Sequence, residues 1–285
     1  MSGRTVGIVG LGLIGGSMAK AYKRAGDRVL GIDKDMITCD YAALAGAVDG
    51  TLTDDTIEEC DVLFIAITPA AAIDWLKAHA HLLAGCGLVI DCCGNKRAIC
   101  ETGFALAAEH GFTFLGGHPM AGRQFGGFKN SEEGLFDGAL FALVPEDPNE
   151  IFLLAKAESL LKDAGFTRFS VMTAEQHDRI IAFTSQMAHL VSNAYVKSDT
   201  AMMIDGARVS GGAFRDMTRV AFLDERMWTA LFLENRDNLL TELDDLLEEL
   251  LRYQKALQEE DREALMELLR EGKERKLEVE KHVLK

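Results

Sequence analysis

The sequence predicts an α/β fold, a doubly wound and mostly parallel sheet, followed by an all-helical domain. Three observations predict it. A glycine turn, Gly10-Leu11-Gly12-Leu13-Ile14-Gly15, stands directly after an apolar strand pattern and opens a helical one. Short β-branched runs then alternate with amphipathic stretches as far as Met172, and the strand signal ends after Thr173.

Strands are expected over residues 5–9, 28–32, 62–67, 88–92, 112–115, 139–144 and 168–172, with helices over 16–25, 70–83, 99–110 and 151–164 between several of them. Apolar strands separated by helices indicate a parallel sheet covered on both faces, because each crossover lays a helix on the sheet. Beyond residue 173 the apolar spacing is helical over 174–197, 227–258 and, more briefly, 261–269. So few helices cannot bury a large core alone, so a homodimer through them is expected. The expected domains are 1–172 and 173–285.

Hydrophobic residues at 48% and charged residues at 26% are the balance of a soluble globular protein. A net charge of -15 argues against non-specific nucleic-acid binding. The longest apolar runs, such as 62–67, are too short for a bilayer, and the N-terminus enters a strand without a secretory pattern. No membrane association and a cytoplasmic location are expected. Cys39, Cys60, Cys86, Cys92, Cys93 and Cys100 form no CxxC pair and no Cys/His ligand spacing. They read as reduced packing residues, and no metal is expected.

The glycine turn sits in the strand–turn–helix context of a Rossmann-type dinucleotide site. Gly10 permits the tight turn, Gly12 lets a pyrophosphate approach the backbone, and Gly15 lets helix pack on strand. The N–H groups around Leu13 and Ile14 and the helix dipole then hold phosphates. Asp33 ends the second strand, 18 residues beyond Gly15. Its carboxylate accepts from ribose hydroxyls and repels a 2′-phosphate, which favours NAD, with Lys34 as a partial counterweight. Thr68 and Pro69 follow the strand over 62–67 and are expected to wall the nicotinamide side. The bland alternative is a glycine turn without a nucleotide.

Gly116-Gly117-His118-Pro119-Met120-Ala121-Gly122 follows another strand. His118 is expected in a loop at the crevice, where an imidazole suits the removal of an alcohol proton during hydride transfer.

With these pieces in hand, the sequence resembles the prephenate/arogenate dehydrogenase family across essentially its whole length. The resemblance rests on the glycine turn, the segment from Asp91 to Arg97, the His118 motif, the helix with Ser185 and His189, and the stretch Phe214-Arg215-Asp216-Met217-Thr218-Arg219 with Trp228 beyond. It implies NAD-dependent oxidation and decarboxylation of prephenate to 4-hydroxyphenylpyruvate, on the way to tyrosine, with arogenate as the alternative substrate. It implies His118 as proton acceptor, Arg219 as a carboxylate clamp, and Ser185 with His189 on the substrate side of their helix, i and i+4 apart. It places Arg123, Gln124, Gln186, Asp216 and Trp228 around the substrate. Bland readings stand beside these. Arg219 and Asp216 could be a helix ion pair, His189 a core histidine, and Trp228 packing; His177-Asp178 is read as a helix start without chemistry.

The chain departs from the family pattern at three places. Gly94 stands where a serine is common, so its hydrogen bond must come from elsewhere, with Asn95 or a water as candidates. Gln186 replaces a histidine, and neutral Gln124 replaces an acid, which leans the reading towards prephenate. Rival readings are a β-hydroxyacid dehydrogenase or imine reductase, and an NAD-binding protein without activity.

Overall fold

The structure is a computed structural model that describes residues 3–123, 125–203 and 211–283. Eight strands form one sheet: β1 (Thr5–Val9), β2 (Arg28–Ile32), β3 (Gly50–Thr51), β4 (Val62–Ile65), β5 (Val89–Asp91), β6 (Phe114–Pro119), β7 (Leu140–Val144) and β8 (Arg168–Val171). Their order is β3-β2-β1-β4-β5-β6-β7-β8. Pairing is parallel from β3 to β6; β7 then runs antiparallel to β6 and parallel to β8. This is a mostly parallel Rossmann-type sheet.

The strands carry apolar residues on both faces. Val62 and Phe64 join one core cluster, while Leu63 and Ile65 join the cluster on the other side. This period of two is the pleat itself, and burying each such side chain contributes roughly 1.5–3 kcal/mol. Covering helices are α1 (Leu13–Ala25), α2 (Met36–Leu44), α3 (Pro69–His79), α4 (Arg97–His110) and α5 (Ile151–Asp163). Tyr22 on α1 stacks on Phe64, and its hydroxyl donates to the Leu160 carbonyl of α5 at 3.1 Å.

Within the sheet region, α2 and β3 escaped the sequence pattern. α2 buries only Ala42 and leaves Met36, Ile37 and Leu44 exposed, so it has no apolar stripe to read. β3 is two residues long.

After the sheet come α6 (Ala174–Ile181), a π-helical turn (Ala182–Met187), α7 (Ala188–Tyr195), α8 (Asp199–Met202), α9 (Gly212–Thr218) and α10 (Glu225–Glu234). Thr173 and Gln176 cap α6 reciprocally, each side chain bonding the other's backbone N–H. The chain forms two compact units, Met1–Asn235 and Arg236–Lys285. The second is an antiparallel pair, α11 (Arg236–Gln258) and α12 (Arg262–Val283), tied by Arg252 to Glu271 at 3.0 Å and by the Tyr253 hydroxyl to the Leu268 carbonyl at 3.1 Å.

The expected helix over 227–258 is broken at Asn235, whose buried side chain bonds the Asp178 carbonyl and the Gln186 amide instead of meeting solvent. The expected 261–269 helix runs on to Val283. Its later turns lack an apolar stripe and carry pairs such as Arg275–Glu278 and Lys276–Glu280. The cysteines are all free. Among the described residues, no helix is long and apolar enough to cross a membrane.

Candidate active site

The three glycines of the turn differ in what they are for. Gly10 has φ 91°, and a Cβ there would meet Ile67 at 2.4 Å and the Ala66 carbonyl oxygen at 2.6 Å. A Cβ on Gly15 would lie 1.8 Å from the Gly10 carbonyl oxygen. The fold requires both. Gly12 is different: among the described residues no atom stands within 4 Å of its would-be Cβ. The chain itself does not need a glycine there, but a pyrophosphate approaching the backbone does.

Around that cradle, α1 starts without a side-chain cap. The Asp33 carboxylate accepts from the Leu11 N–H at 2.8 Å and the Asp35 N–H at 3.0 Å, which ties the turn to the end of β2. Leu13 and Ile14 are the first residues of α1. Thr68 is exposed and Pro69 is the buried first residue of α3, while Ala66 and Ile67 close on Gly10. These residues fit a dinucleotide. Gly12→Ala is expected to leave the unfolding midpoint unchanged and to weaken NADH about tenfold or more, since forcing a methyl into a close contact costs ~1–3 kcal/mol. Paired thermal scans and fluorescence titration check it; unaltered affinity would contradict the cradle.

His118 lies inside β6 rather than in a loop, opposite Ala142 of β7. The glycines before it serve close approach, not positive φ. A Cβ on Gly116 would meet Cys100 Sγ at 2.4 Å, and one on Gly117 the Asp91 carbonyl oxygen at 2.5 Å. Pinned in the ladder, the half-buried His118 directs Nδ1 to His177 Nε2 at 2.9 Å. His177 Nδ1 in turn meets Asp178 Oδ1 at 2.8 Å. The Asp178 carboxylate also accepts from the Lys96 N–H at 2.7 Å and from the N–H and Nε of Arg97 at 3.0 and 3.3 Å.

Burial pushes His118 well below the usual histidine value, and His177 and Lys96 push the same way. Burial also lowers His177, outweighing the opposing hydrogen bond to Asp178. For Asp178, burial would raise the carboxyl, but the bonds from His177 and from the amides of Arg97 and Lys96 hold it below the ordinary range. The outcome is two neutral imidazoles in line behind a carboxylate.

Behind this line, fully buried Lys96 donates to Asp91 and to the Gly117 carbonyl at 2.6 Å. Asp91 accepts from the N–H groups of Cys93 at 2.9 Å and Gly117 at 3.1 Å. Burial opposes the Lys96 charge, but Asp91 outweighs it and raises the ammonium.

His118 bonds His177, not the Asn95 expected to stand in for a hydroxyl at Gly94. Asn95 faces elsewhere: its amide donates to the Leu231 carbonyl at 3.0 Å and to Glu234 at 3.2 Å. A Cβ on Gly94 would meet Leu231 at 3.2 Å, so the same helix closes over that position. No spacing pattern pointed to His177, which reaches His118 across 59 residues.

Other expected site residues divide into those brought together and those put to different use. His189 Nδ1 bonds the Ser185 carbonyl at 2.9 Å, and its ring stacks on Trp228 at 3.8 Å. Burial lowers His189, and the nearby Arg219 charge adds to that. Arg219 and Asp216 are exposed on and just after α9 and form no ion pair with each other.

Gln186 is buried, with Nε2 donating to Asn95 at 2.9 Å and Oε1 accepting from Asn235 at 2.9 Å, so it clamps its helix to both segments. Arg123 pairs with exposed Glu132. Gln124 lies outside the described residues. Next to it, Phe125 meets Phe222 at 5.6 Å, joining the loop after His118 to the segment after Arg219.

Two family models match the chain: prephenate dehydrogenase, nucleotide-binding domain, over residues 18–168, and prephenate dehydrogenase, dimerization domain, over 173–271. The chain is similar to prephenate dehydrogenase of Bacillus subtilis, 29% identical over 95% of this chain and 74% of that protein. The crystal structure of Synechocystis arogenate dehydrogenase superposes with TM-score 0.79 at 26% identity, covering 96% of this chain and 99% of that one. Prephenate dehydrogenase from A. aeolicus, solved with hydroxyphenyl propionate and NAD+, gives TM-score 0.78 at 28% identity, covering 98% and 99%.

Proposed function

Because the chain belongs to the prephenate dehydrogenase family, and so is an enzyme with a nucleotide-binding and a dimerisation domain, we propose that it oxidises and decarboxylates prephenate to 4-hydroxyphenylpyruvate with NAD. The observation that carries the reading is the orientation of His118: with Nδ1 engaged inward, Nε2 is the nitrogen left for a substrate hydroxyl. NAD, when bound, supplies the acceptor for the hydride leaving the ring alcohol carbon. Gly10, Gly12, Leu13, Ile14 and Gly15 hold its pyrophosphate, Asp33 its adenosine ribose, and Thr68 and Pro69 border the nicotinamide.

His118 Nε2 takes the hydroxyl proton as positive charge builds on that oxygen. Loss of the ring carboxylate as CO2 returns two electrons to the ring, which becomes aromatic, and the proton goes back to the phenolic oxygen. A neutral imidazole suits this role because it is bare at working pH. Arg219, without an ion-pair partner among the described residues, grips a substrate carboxylate. His189, Ser185, Asp216 and Trp228 line the same side. Two copies pair through the helical part that matches the dimerization model.

Hydroxyphenyl propionate in the A. aeolicus relative is an acid without an amine, which supports prephenate. Arogenate is the second reading, favoured by the likeness to the Synechocystis enzyme. Initial rates of NADH and NADPH formation with each substrate decide. The highest kcat/KM is expected for prephenate with NAD. A higher value for arogenate would reassign the substrate, and turnover of neither would overturn the activity.

A further inference from the structure

We propose that His177 and Asp178 are positioning residues, forming with His118 a buried relay that fixes which nitrogen of His118 is bare and shares the charge it acquires. The inference deepens the proposed reaction and rests on His118 as its proton acceptor. An ionised carboxylate only accepts. Asp178 Oδ1 at 2.8 Å therefore requires the proton of His177 on Nδ1, which leaves His177 Nε2 with a lone pair. That lone pair, 2.9 Å from His118 Nδ1, requires a proton there in turn. His118 Nε2 is then bare. Each link follows from the one before, and Asp178 is the fixed end.

The carboxylate is itself immobilised. The Lys96 N–H, the Arg97 N–H and Arg97 Nε occupy its remaining lone pairs, and His177 and Asp178 are both 1% exposed. The charged groups facing the two imidazoles are Asp178 from α6 and Lys96 and Asp91 from the β5–α4 segment. Lys96 discourages a lasting positive charge on either ring, whereas Asp178 stabilises a transient one through His177. When His118 Nε2 takes the substrate proton, the imidazolium keeps its Nδ1–H on His177. The proton can shift along that bond to Nε2 of His177, placing the charge beside Asp178 while His118 keeps the incoming proton. No atom is gained or lost. Capping of α4 by Asp178 explains its bonds to Lys96 and Arg97, but it does not require the histidine between Asp178 and His118.

The full-length protein tests this with His177→Leu, His177→Gln and Asp178→Asn. His177→Leu removes the acceptor, and kcat is expected to fall about 10–10³-fold, less than the roughly 10⁴-fold that loss of the orienting carboxylate costs a Ser-His-Asp triad. KM for NAD and NADH affinity should hold. His177 repels charge on His118 only when it is itself protonated, and neutral it only accepts, so losing that acceptor should move the acid limb of the kcat/KM profile to lower pH, and Asp178→Asn should shift it the same way. His177→Gln, whose amide oxygen can accept from His118 Nδ1, should recover much of the loss.

An unchanged kcat and acid limb in His177→Leu, or a His177→Gln as impaired as His177→Leu, would overturn the proposal. Nitrogen-15 NMR of the wild type reads the tautomer without any substrate: Nδ1 of His118 protonated and Nε2 bare is expected, and the reverse overturns the relay even if a variant fails to fold. If the wild type oxidises neither prephenate nor arogenate, the function fails while the NMR result still decides the relay.

Discussion

His118→Asn is expected to lower kcat by about 10²–10⁴-fold, the span for a lost general base, with NADH affinity nearly unchanged. Asparagine is close in size to the proximal half of the ring and keeps the backbone pairing with Ala142, so the strand edge survives. It has no lone pair basic enough to take a hydroxyl proton. Single-turnover kinetics separate this loss from slow product release. A variant retaining wild-type kcat would remove His118 from the chemistry, and His177 and Asp178 with it.

The second large effect is on stability. Lys96→Met is expected to cost about 3–5 kcal/mol, the usual result of removing one partner from a buried ion pair. Asp91 would keep two backbone donors but lose its countercharge at a site with no exposure. The direction with pH follows from the raised Lys96 ammonium. Its stabilisation is fully present below the unfolded lysine pKa and is lost only as pH rises through the folded one, so the cost is complete at neutral pH. Urea unfolding at constant slope reads it. Adding Asp91→Leu to Lys96→Met should recover a large part, because the remaining charge is then gone. A cost below about 1 kcal/mol would mean that solvent reaches the pair despite its burial.

The fold was legible where short-range physics sets it. Apolar strands and the glycine turn are written within a few residues of sequence, and β1 and β2 begin and end where the pattern puts them. α2 was not legible because its exposed face carries Met36, Ile37 and Leu44, and the boundary at Asn235 was hidden because an asparagine in a helical run has no visible partner. The site followed the same rule. Gly12 could be picked out from its context, but the use of Gln186 as a clamp and the meeting of His177 with His118 depend on contacts made across 49 and 59 residues. A His-Asp dipeptide at a helix start looks identical whether or not a second imidazole waits on a neighbouring strand.

The π-helical turn at Ala182–Met187 has a further consequence. Such a turn amounts to one surplus residue in a helix, and in an ordinary α-helix each residue advances the screw by about 100°. Wound as a regular α-helix, the same residues from Thr173 to Tyr195 would carry everything beyond the turn about 100° further round. His189 would then point about a quarter-turn away from Trp228, the ring it now stacks on. This stretch of helix is therefore timed like a cam: its winding, rather than any one side chain, decides which way the imidazole looks.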